Sequence, residues 1–396
     1  MHLLLVGGGH AMLPLLKGAA PIVRRGVRVT LIDRHPTLFY SGMVPEHLGG
    51  VYTRDEVEVD LVRLCAASGV AFHRAEVTRL HRDPPGVTTA DGQTIRCDLA
   101  AFDVGGLNPL RDRAGNAVPT KPLHQIGALE AFVRAALAAA GPTQTVVVVG
   151  GGAAGTEVAL NLSARTRAVR PEALRLELVD PGERLLAEFP PAMGRYARRR
   201  LEERGVSVHL QTRVERVEGH DVVLGSGARL RADRVLWATG TEGPPFFREA
   251  GLPTDERGFL WVDRTLQCGA APWLFAAGDC AVLRGHERLA RVGVHAVKQG
   301  PVLRRNVRVA LDALAGGRSL DRLALRSFRP YPLAPLILST GQREGLLATD
   351  RWWIRGTPAL RLKHLVDRRW MRKYAPAWDR PLWSMADLAA AGPAVS

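Results

Sequence analysis

Short apolar runs alternate along the chain with glycine turns and helical patterns, which predicts strands connected by helices. Near the N-terminus the run Leu3–Val6 leads into the turn Gly7–Gly9, and a helical pattern follows. The next apolar run, Val27–Ile32, ends in Asp33. Such glycines let the backbone approach a pyrophosphate, while the helix N-terminus offers N–H groups and the carboxylate accepts hydrogen bonds from ribose hydroxyls. This order predicts a dinucleotide site, although Met12 replaces the third glycine of GxGxxG.

The same pattern occurs again in the middle of the chain. The run Val146–Val149 leads into a complete GxGxxG, whose glycines are Gly150, Gly152 and Gly155. The run Leu176–Val179 then ends in Asp180. A carboxylate at this place binds a ribose 2′-hydroxyl and repels a 2′-phosphate, which favours NADH over NADPH. Arg184, close behind, keeps that preference moderate.

Three later segments fit the same α/β architecture. Residues 98–106 and 233–240 each run from a strand pattern into glycine, and Trp273–Asp279 ends a strand pattern in Gly278-Asp279. They resemble the strand-to-glycine crossovers and the late Gly-Asp motif of flavoproteins with two dinucleotide-binding domains, and this resemblance implies two Rossmann-like domains, the second inserted in the first. The expected limits are 1–115 with 241–325 for the first domain, 116–240 for the second, and 326–396 for a small C-terminal segment.

These segments resemble a flavoprotein of the pyridine nucleotide–disulphide oxidoreductase superfamily that has two dinucleotide-binding domains. The resemblance implies that the first domain holds FAD and that the second holds NADH. The residues implied for FAD are Gly7, Gly9, His10, Ala11, Asp33, Gly105, Gly278 and Asp279. Those implied for NADH are Gly150, Gly152, Gly155, Asp180 and Gly240.

Within the superfamily, the disulphide branch carries a CxxxxC motif where this chain reads Phe39–Glu46 without cysteine, which excludes dithiol chemistry. Tyr40–Pro45 and Val294–Pro301 instead resemble the type II NADH dehydrogenases and a flavoprotein domain fused to, or beside, selenophosphate synthetases. The first group implies hydride transfer from NADH to FAD and then two electrons to a quinone. Its Ala-Gln-x-Ala-x-Gln pattern is only partly kept, because Val294 and His295 replace the first Ala-Gln.

Three residues are candidates for catalysis. Glu157 matches a glutamate of the type II dehydrogenases near the nicotinamide and flavin, and the alternative is a carboxylate stabilised by the dipole in the first turn of a helix. Gln299 keeps the last glutamine of the type II pattern. Lys298, like Lys121, could stabilise a reduced flavin with its ammonium group or could simply be a surface residue.

The cysteines bear on the competing functions. Cys65, Cys97, Cys268 and Cys280 form no CxxC pair, which fits a reducing, cytosolic setting, and no metal-ligand spacing is found. Cys268 and Cys280 bracket one predicted strand, which disfavours a sulfur chain held between them. Two alternatives stay open beside the quinone reductase: an NADH-binding redox sensor with slow turnover, and a reductase acting on sulfur or selenium species.

The formal net charge of +15 is the last feature to place, because it suggests a nucleic acid or an anionic membrane as partner. Residues 351–374 hold eight Lys or Arg and one Asp, with aromatic residues interleaved. Residues 359–374 predict a helix with an apolar stripe and with basic residues on its other faces; the stripe is Leu362, Val366, Trp370 and Tyr374, and the basic residues include Lys363. This predicts peripheral binding to the inner face of the cell membrane, with docking on the protein body or a homodimer as alternatives. No nucleic-acid motif accompanies the patch, so no such partner is expected.

Overall fold

The computed structural model describes residues 1–109, 116–330, 335–341, 343–375 and 378. The chain forms two compact units. The first contains residues 1–38, 59–107 and 241–332, and the second contains 39–58, 108–240 and 333–396, each as far as the structure describes them. The units thus group residues 39–58 and the C-terminal stretch with the central segment, whereas the domain limits expected from the sequence keep these apart.

A six-stranded sheet forms the centre of the first unit. Its strands, in spatial order, are Gln267–Cys268, Ala271–Ala276, Leu99–Phe102, His2–Val6, Arg28–Asp33 and Ala71–Arg74. All neighbours are parallel except the first pair. Every residue of His2–Val6 and Leu99–Phe102 is buried, as expected for strands covered on both faces.

Smaller sheets and helices complete this unit. The remaining strands are Val77–Arg82, Pro85–Thr89 and Thr94–Arg96 in an antiparallel sheet, and Leu260–Val262 with Ala281–Leu283 in a parallel pair. The helices are Leu13–Lys17, Ala20–Arg24, Leu61–Ser68, Pro245–Glu249, Gly293–Ala315 and the 3₁₀ turn Gly278–Cys280.

The second unit is built on a five-stranded parallel sheet. In spatial order its strands are Ala117–Pro119, Arg234–Trp237, Gln144–Val149, Leu174–Val179 and Ser207–His209. Two antiparallel sheets accompany it, made of Val214–Glu218, Asp221–Leu224 and Arg229–Arg231, and of Leu336–Ser339, Gly345–Ala348 and Trp353–Gly356. The helices are Val44–Leu48, Arg54–Val57, Leu123–Gln125 (3₁₀), Ile126–Ala138, Ala153–Val169, Pro191–Glu202 and Thr357–Met371.

The short strands Thr37–Phe39 and Glu58–Asp60 lie where the chain passes from one unit to the other. The α/β class and the parallel, Rossmann-like sheets predicted from the sequence are confirmed. In the part of the chain that the structure describes, no helix is both long enough and apolar enough to cross a membrane.

The C-terminal helix corrects one prediction. It runs from Thr357 to Met371, and the predicted apolar stripe is divided: Trp370 is buried, whereas Leu362 and Val366 are 42% and 50% exposed. The buried face instead carries Lys363 and Asp367. Lys363 was predicted to lie with the other basic residues, away from the apolar stripe. A charged side chain can be buried when it is paired, and such pairing is invisible to a hydrophobic pattern. In the same C-terminal segment residues 336–339 form a strand, and residues 331–334 lie outside the described residues.

Candidate functional site

The first glycine turn is held against Asp33 at the end of its strand. Gly7 N–H donates to the carbonyl of Ile32 (2.9 Å), and Gly8 N–H donates to Asp33 Oδ2 (2.7 Å). Gly7 has φ +83°, and an added Cβ would lie 2.4 Å from the carbonyl oxygen of Asp103, so only glycine fits there. Burial raises the pKa of Asp33, although the amides of Gly8 and His35 favour its charged form.

Asp103 contacts the segment that follows this turn, a role that the sequence did not reveal. It directly follows the strand Leu99–Phe102, and its Oδ2 accepts from the N–H groups of Ala11 (2.7 Å) and Met12 (3.1 Å). A Cβ added to Gly9 would lie 2.3 Å from the Asp103 carboxyl carbon. Burial raises the pKa of Asp103 to about 8. The backbone N–H of Ala11, one of the residues implied for FAD, is therefore already bonded to a protein side chain.

A cleft lies at the late Gly278-Asp279 motif of the same unit. Gly278 has φ +68°, and its N–H donates to Oε1 of Gln299 (2.7 Å) on the helix Gly293–Ala315. The polar residues that line the cleft are Asp279, His286, Glu287, Arg291, His295 and Gln299. The structure thus brings Gln299, a candidate for catalysis, together with Gly278 and Asp279, which the resemblance implied for FAD.

Two buried imidazoles lie close to Asp279. Burial lowers the pKa of His10 to about 4, and it also lowers the pKa of His295, while the Asp279 carboxylate opposes both shifts. His295 Nδ1 is buried and has no hydrogen-bond partner. Beside Gly105 the space is open, since an added Cβ would meet no atom within 4 Å. An orphaned ring nitrogen and open space beside a glycine fit a ligand with several hydrogen-bonding groups, and FAD is such a ligand.

Lys298 is placed differently from its neighbour Gln299. It lines a separate groove together with Val302 and residues 326–329. The side chains of Lys298 and Gln299 are adjacent in a helix and therefore point to different faces. The structure does not bring Lys298 to the cleft of Asp279. Lys121 lies in the second unit, where its N–H donates to Asn108 Oδ1 (2.6 Å).

The second glycine turn repeats the first with a complete motif. Gly151 N–H and Gly182 N–H donate to the two carboxylate oxygens of Asp180, at 2.6 and 2.7 Å. A Cβ added to Gly155 would lie 2.0 Å from the carbonyl oxygen of Gly150, which explains the third glycine. Gly152 begins the helix Ala153–Val169, and a Cβ there would meet no atom within 4 Å. The turn is therefore open at the helix N-terminus, where a pyrophosphate would bind.

Two further residues border this turn. Gly240, expected at the NADH site, follows the strand Arg234–Trp237 and has φ +62°. Arg184 donates through Nη1 to the carbonyls of Leu186 (3.1 Å) and Phe189 (2.8 Å), and it also bonds to the carbonyl of Ala187. Three carbonyls of its own loop already accept hydrogen bonds from this guanidinium. Arg184 is therefore less available to a 2′-phosphate, which strengthens the expected preference for NADH over NADPH.

Glu157 lies in the second turn of the helix that begins at Ala153, so the alternative of a carboxylate stabilised by the dipole in the first turn is wrong. Its Oε1 accepts from the N–H of Ser339 (2.7 Å), and its side chain is buried. Burial raises the pKa of Glu157 to about 8 despite the nearby ammonium of Lys363. At neutral pH this carboxyl therefore holds a proton, which an ordinary glutamate does not.

A buried ion cluster, here called the Lys363 cluster, consists of Lys363, Glu46, Asp367 and Glu157. Lys363 Nζ lies 2.9 Å from Glu46 Oε2, 2.8 Å from Asp367 Oδ2 and 3.9 Å from Glu157 Oε1. His364 Nε2 lies 2.7 Å from the other oxygen of Glu46. Burial alone would raise the pKa of Glu46, but Lys363 and His364 hold it at about 2. Burial would likewise lower the pKa of Lys363, but the three carboxyl groups raise it well above its usual range.

The cluster explains why Glu157 keeps its proton. The ammonium is one ångström closer to Glu46 and Asp367 than to Glu157, so it neutralises the first two. One signal for the cluster is visible in the sequence, namely the Lys363–Asp367 pair at helical i,i+4 spacing. Glu46 lies in the segment Phe39–Glu46, which is distinguished in the sequence only by its lack of cysteine.

The four cysteines, all within the described residues, are buried and unbridged. Cys268 lies in the edge strand Gln267–Cys268, and Cys280 lies beyond the neighbouring strand Ala271–Ala276 with its Sγ 3.2 Å from the carbonyl of Ala277. Burial raises the pKa of the Cys280 thiol, which disfavours the thiolate that sulfur chemistry needs.

The chain is similar to several known flavoprotein oxidoreductases in sequence and in fold. The demethylphylloquinone reductase NdbB of Synechocystis sp. is 27% identical over 263 residues, which make up 64% of this chain and 64% of that protein. The match thus covers less than two thirds of that relative. The NDH2 structure from Plasmodium falciparum in complex with NADH has a TM-score of 0.75 at 12% identity, covering 97% of this chain and 99% of that one. The sulfide:quinone oxidoreductase structure from Aquifex aeolicus has a TM-score of 0.73 at 15% identity, covering 94% of this chain and 91% of that one. At these identities the structures show the shared fold alone.

The family profile described as pyridine nucleotide-disulphide oxidoreductase matches residues 1–300. Members of this family are FAD-dependent oxidoreductases that use NADH. FAD and NADH are also the two cofactors expected from the sequence. The chain therefore belongs to the pyridine nucleotide-disulphide oxidoreductase family.

Proposed function

We propose that the protein is an FAD-dependent NADH:quinone oxidoreductase. FAD, when bound, supplies a group that accepts a hydride from NADH and releases two electrons to an acceptor. The FAD residues of the proposal are those predicted from the sequence, with Asp33 and Asp279 as acceptors for cofactor hydroxyls, and Asp103 is added because it orders the turn. A carboxylate oxygen can accept more than one hydrogen bond, so the bond from Gly8 leaves Asp33 able to bind a ribose.

For NADH, the proposed residues are Gly150, Gly152, Gly155, Asp180 and Gly240. Asp180 accepts the ribose 2′-hydroxyl on the lone pairs that Gly151 and Gly182 leave open. A 2′-phosphate would meet this carboxylate without help from Arg184, whose guanidinium is bonded to carbonyls. The dinucleotide is accordingly NADH.

The observation that carries the quinone assignment is the buried carboxyl of Glu157 on the helix that begins at the NADH turn. Reduction of a quinone to a quinol consumes two protons as well as two electrons. Glu157 holds a proton at neutral pH because burial raises its pKa to about 8, and it lies on the helix that begins at the NADH turn. A buried acid with a pKa near the working pH is suited to proton transfer.

The membrane assignment rests on the exposed face of the C-terminal helix. Leu362 and Val366 are exposed one turn apart, with Arg361 and Arg369 exposed beside them. Trp352, directly before the strand Trp353–Gly356, is 48% exposed. Exposed apolar residues among arginines suit an anionic bilayer surface, where a lipid-soluble quinone is reached. We assign this surface to the inner face of the cell membrane and not to a second copy of the chain.

Two measurements test the proposal. Anaerobic addition of NADH should bleach the flavin absorbance of the purified protein, and steady-state NADH oxidation should then require a quinone and rise with anionic liposomes. Bleaching without quinone turnover would instead indicate the slow redox sensor, and turnover with polysulfide or selenite alone would indicate sulfur or selenium chemistry. The buried thiols give no support to the latter.

Variants separate the two parts of the proposal. Glu157→Gln should leave flavin bleaching by NADH intact and lower quinone reduction by about a hundredfold. Val366→Glu should weaken liposome binding about tenfold, and Val169→Glu is its matched control, since Val169 is an exposed valine of another helix. Equal loss of liposome binding in both valine variants would contradict the membrane surface.

A further inference from the structure

His295 occupies a special place in the cleft of Asp279. It lies in the first turn of the helix Gly293–Ala315, where its backbone N–H donates to the carbonyl of Val292 (3.0 Å). Its side chain lines the cleft and is only 7% exposed. Its Nδ1 is nevertheless without a hydrogen-bond partner. A buried polar atom is normally paired, so this one calls for an occupant of the cleft.

The neighbouring polar groups of the cleft have other partners. Gln299, one turn along the same helix, accepts the N–H of Gly278 at 2.7 Å. The Arg291 guanidinium lies 3.4 Å from the ring centre of Phe259 and pairs with Asp255 at 3.7 Å. These contacts hold both side chains in place, and neither reaches Nδ1 of His295. His295 thus lines the cleft with a buried ring nitrogen that no described protein group pairs with.

The imidazole is neutral at pH 7, because burial lowers its pKa. A neutral imidazole can donate or accept one hydrogen bond at Nδ1 according to its tautomer. FAD offers partners of either kind, namely the hydroxyls of its ribityl chain and the carbonyl and N–H groups of its ring edge. Asp279, assigned to FAD in the proposed function, lines the same cleft.

We propose that His295 is a binding residue for FAD and that its Nδ1 atom makes a hydrogen bond to the cofactor. The inference rests on the proposed placement of FAD beside Gly278 and Asp279. It concerns a position where this chain departs from the Ala-Gln-x-Ala-x-Gln pattern that its resemblance to the type II dehydrogenases suggests.

Three substitutions of His295 distinguish a bond from Nδ1 from other roles. The amide of asparagine can occupy the position of Nδ1, whereas the amide of glutamine reaches the position of Nε2, and alanine reaches neither. The FAD dissociation constant, measured by recovery of free-flavin fluorescence, should stay within about twofold for His295→Asn. It should rise about tenfold for His295→Ala and His295→Gln, the loss of one hydrogen bond. The visible absorption band of bound flavin should shift in the same two variants and not in His295→Asn.

Two further variants serve as references. His81→Ala removes a histidine of the same unit whose Nε2 bonds to Thr88 Oγ1, and it should leave FAD binding unchanged. Asp279→Ala tests the placement of FAD itself and should weaken binding. Thermal unfolding of each FAD-free variant checks the fold; if His295→Ala does not fold, the Asn and Gln variants still decide.

The outcomes separate the two proposals. If Asp279→Ala binds FAD as the parent does, FAD is not in this cleft and both proposals fail. If Asp279→Ala weakens binding while all His295 variants bind equally, the inference about His295 is overturned and the placement stands. Retention by His295→Gln with loss in His295→Asn would also overturn it, because the contact would then belong to Nε2.

Discussion

Asp103 in the first unit and Glu157 in the second are two buried acids whose pKa burial raises to about 8. Each accepts backbone N–H groups, Asp103 from Ala11 and Met12 and Glu157 from Ser339. They differ in their charged neighbours: the other carboxylates Asp279 and Asp33 act on Asp103, whereas the Lys363 ammonium lies 3.9 Å from Glu157.

The comparison shows that a nearby cation does not by itself ionise an acid. Lys363 also faces Glu46 and Asp367 at shorter distances, and they take up its charge. Glu157 is thus protonated because of competition, while Asp103 is protonated because it lacks a counter-ion among the groups that shift its pKa. Four predictions test this difference, beginning with the largest expected effect.

Lys363→Met removes the cation of the second unit and has no counterpart around Asp103. Glu46 and Asp367 would then be buried charges without an ammonium, so the free energy of unfolding should fall by about 3–5 kcal/mol in chemical denaturation. The control is Arg361→Met, an exposed arginine of the same helix, which should change it by less than about 0.5 kcal/mol. A similar small loss in both variants would mean that the cluster contributes little to stability.

The pH dependence of stability should reveal both acids. Each has a native pKa of about 8 and an ordinary value of about 4 when unfolded, so the native state binds more protons between these limits. The contribution of each acid to the free energy of unfolding is therefore greatest below about pH 4. It falls as the pH rises to about 8, by up to about 1.4 kcal/mol per pH unit for each acid.

Asp103→Asn and Glu157→Gln should each remove their own share of that slope, because an amide does not titrate. Urea unfolding at several pH values measures it, and the double variant should be the flattest of the four proteins. If Asp103→Asn leaves the slope as it was, the Asp103 carboxyl is ionised in the native protein and the likeness between the two acids is lost.

Glu46→Gln should change Glu157 and not Asp103. It removes one of the two carboxylates that compete for Lys363, so the ammonium becomes available to Glu157 and the pKa of Glu157 should fall below neutrality. Infrared spectroscopy can follow this as loss of a protonated-carboxyl band at pH 7, assigned with Glu157→Gln. An unchanged band would show that burial alone controls Glu157.

The sequence predicted the parts of the site that are local. Asp33 ends its strand and Asp180 directly follows its own, and each accepts the amide of a glycine in the preceding turn, Gly8 or Gly151. The order of strand, turn, helix, strand and acid determines these contacts, which is why a linear pattern reveals them.

The contacts that the sequence did not reveal join distant positions. Asp103 bonds to an amide 92 residues away, and the His364–Glu46 contact joins positions 318 residues apart. The predicted orientation of the C-terminal helix was wrong for the same reason. A hydrophobic pattern places Lys363 on the solvent side unless the buried acids that pair with it are known. His295 stood in the sequence as a departure from a motif, and only the structure shows that its Nδ1 is unpaired.

Tyr40→Phe is the smallest perturbation of the Lys363 cluster. The Tyr40 hydroxyl donates to Asp367 Oδ1 at 3.0 Å, and its removal leaves Asp367 paired with Lys363 through the other oxygen. The free energy of unfolding should fall by about 1 kcal/mol. The pH slope of stability should not change, because the groups around Glu157 keep their charges. A flatter slope would mean that Tyr40 helps to hold the proton on Glu157, and the competition for Lys363 would then be an incomplete account of why this acid stays neutral.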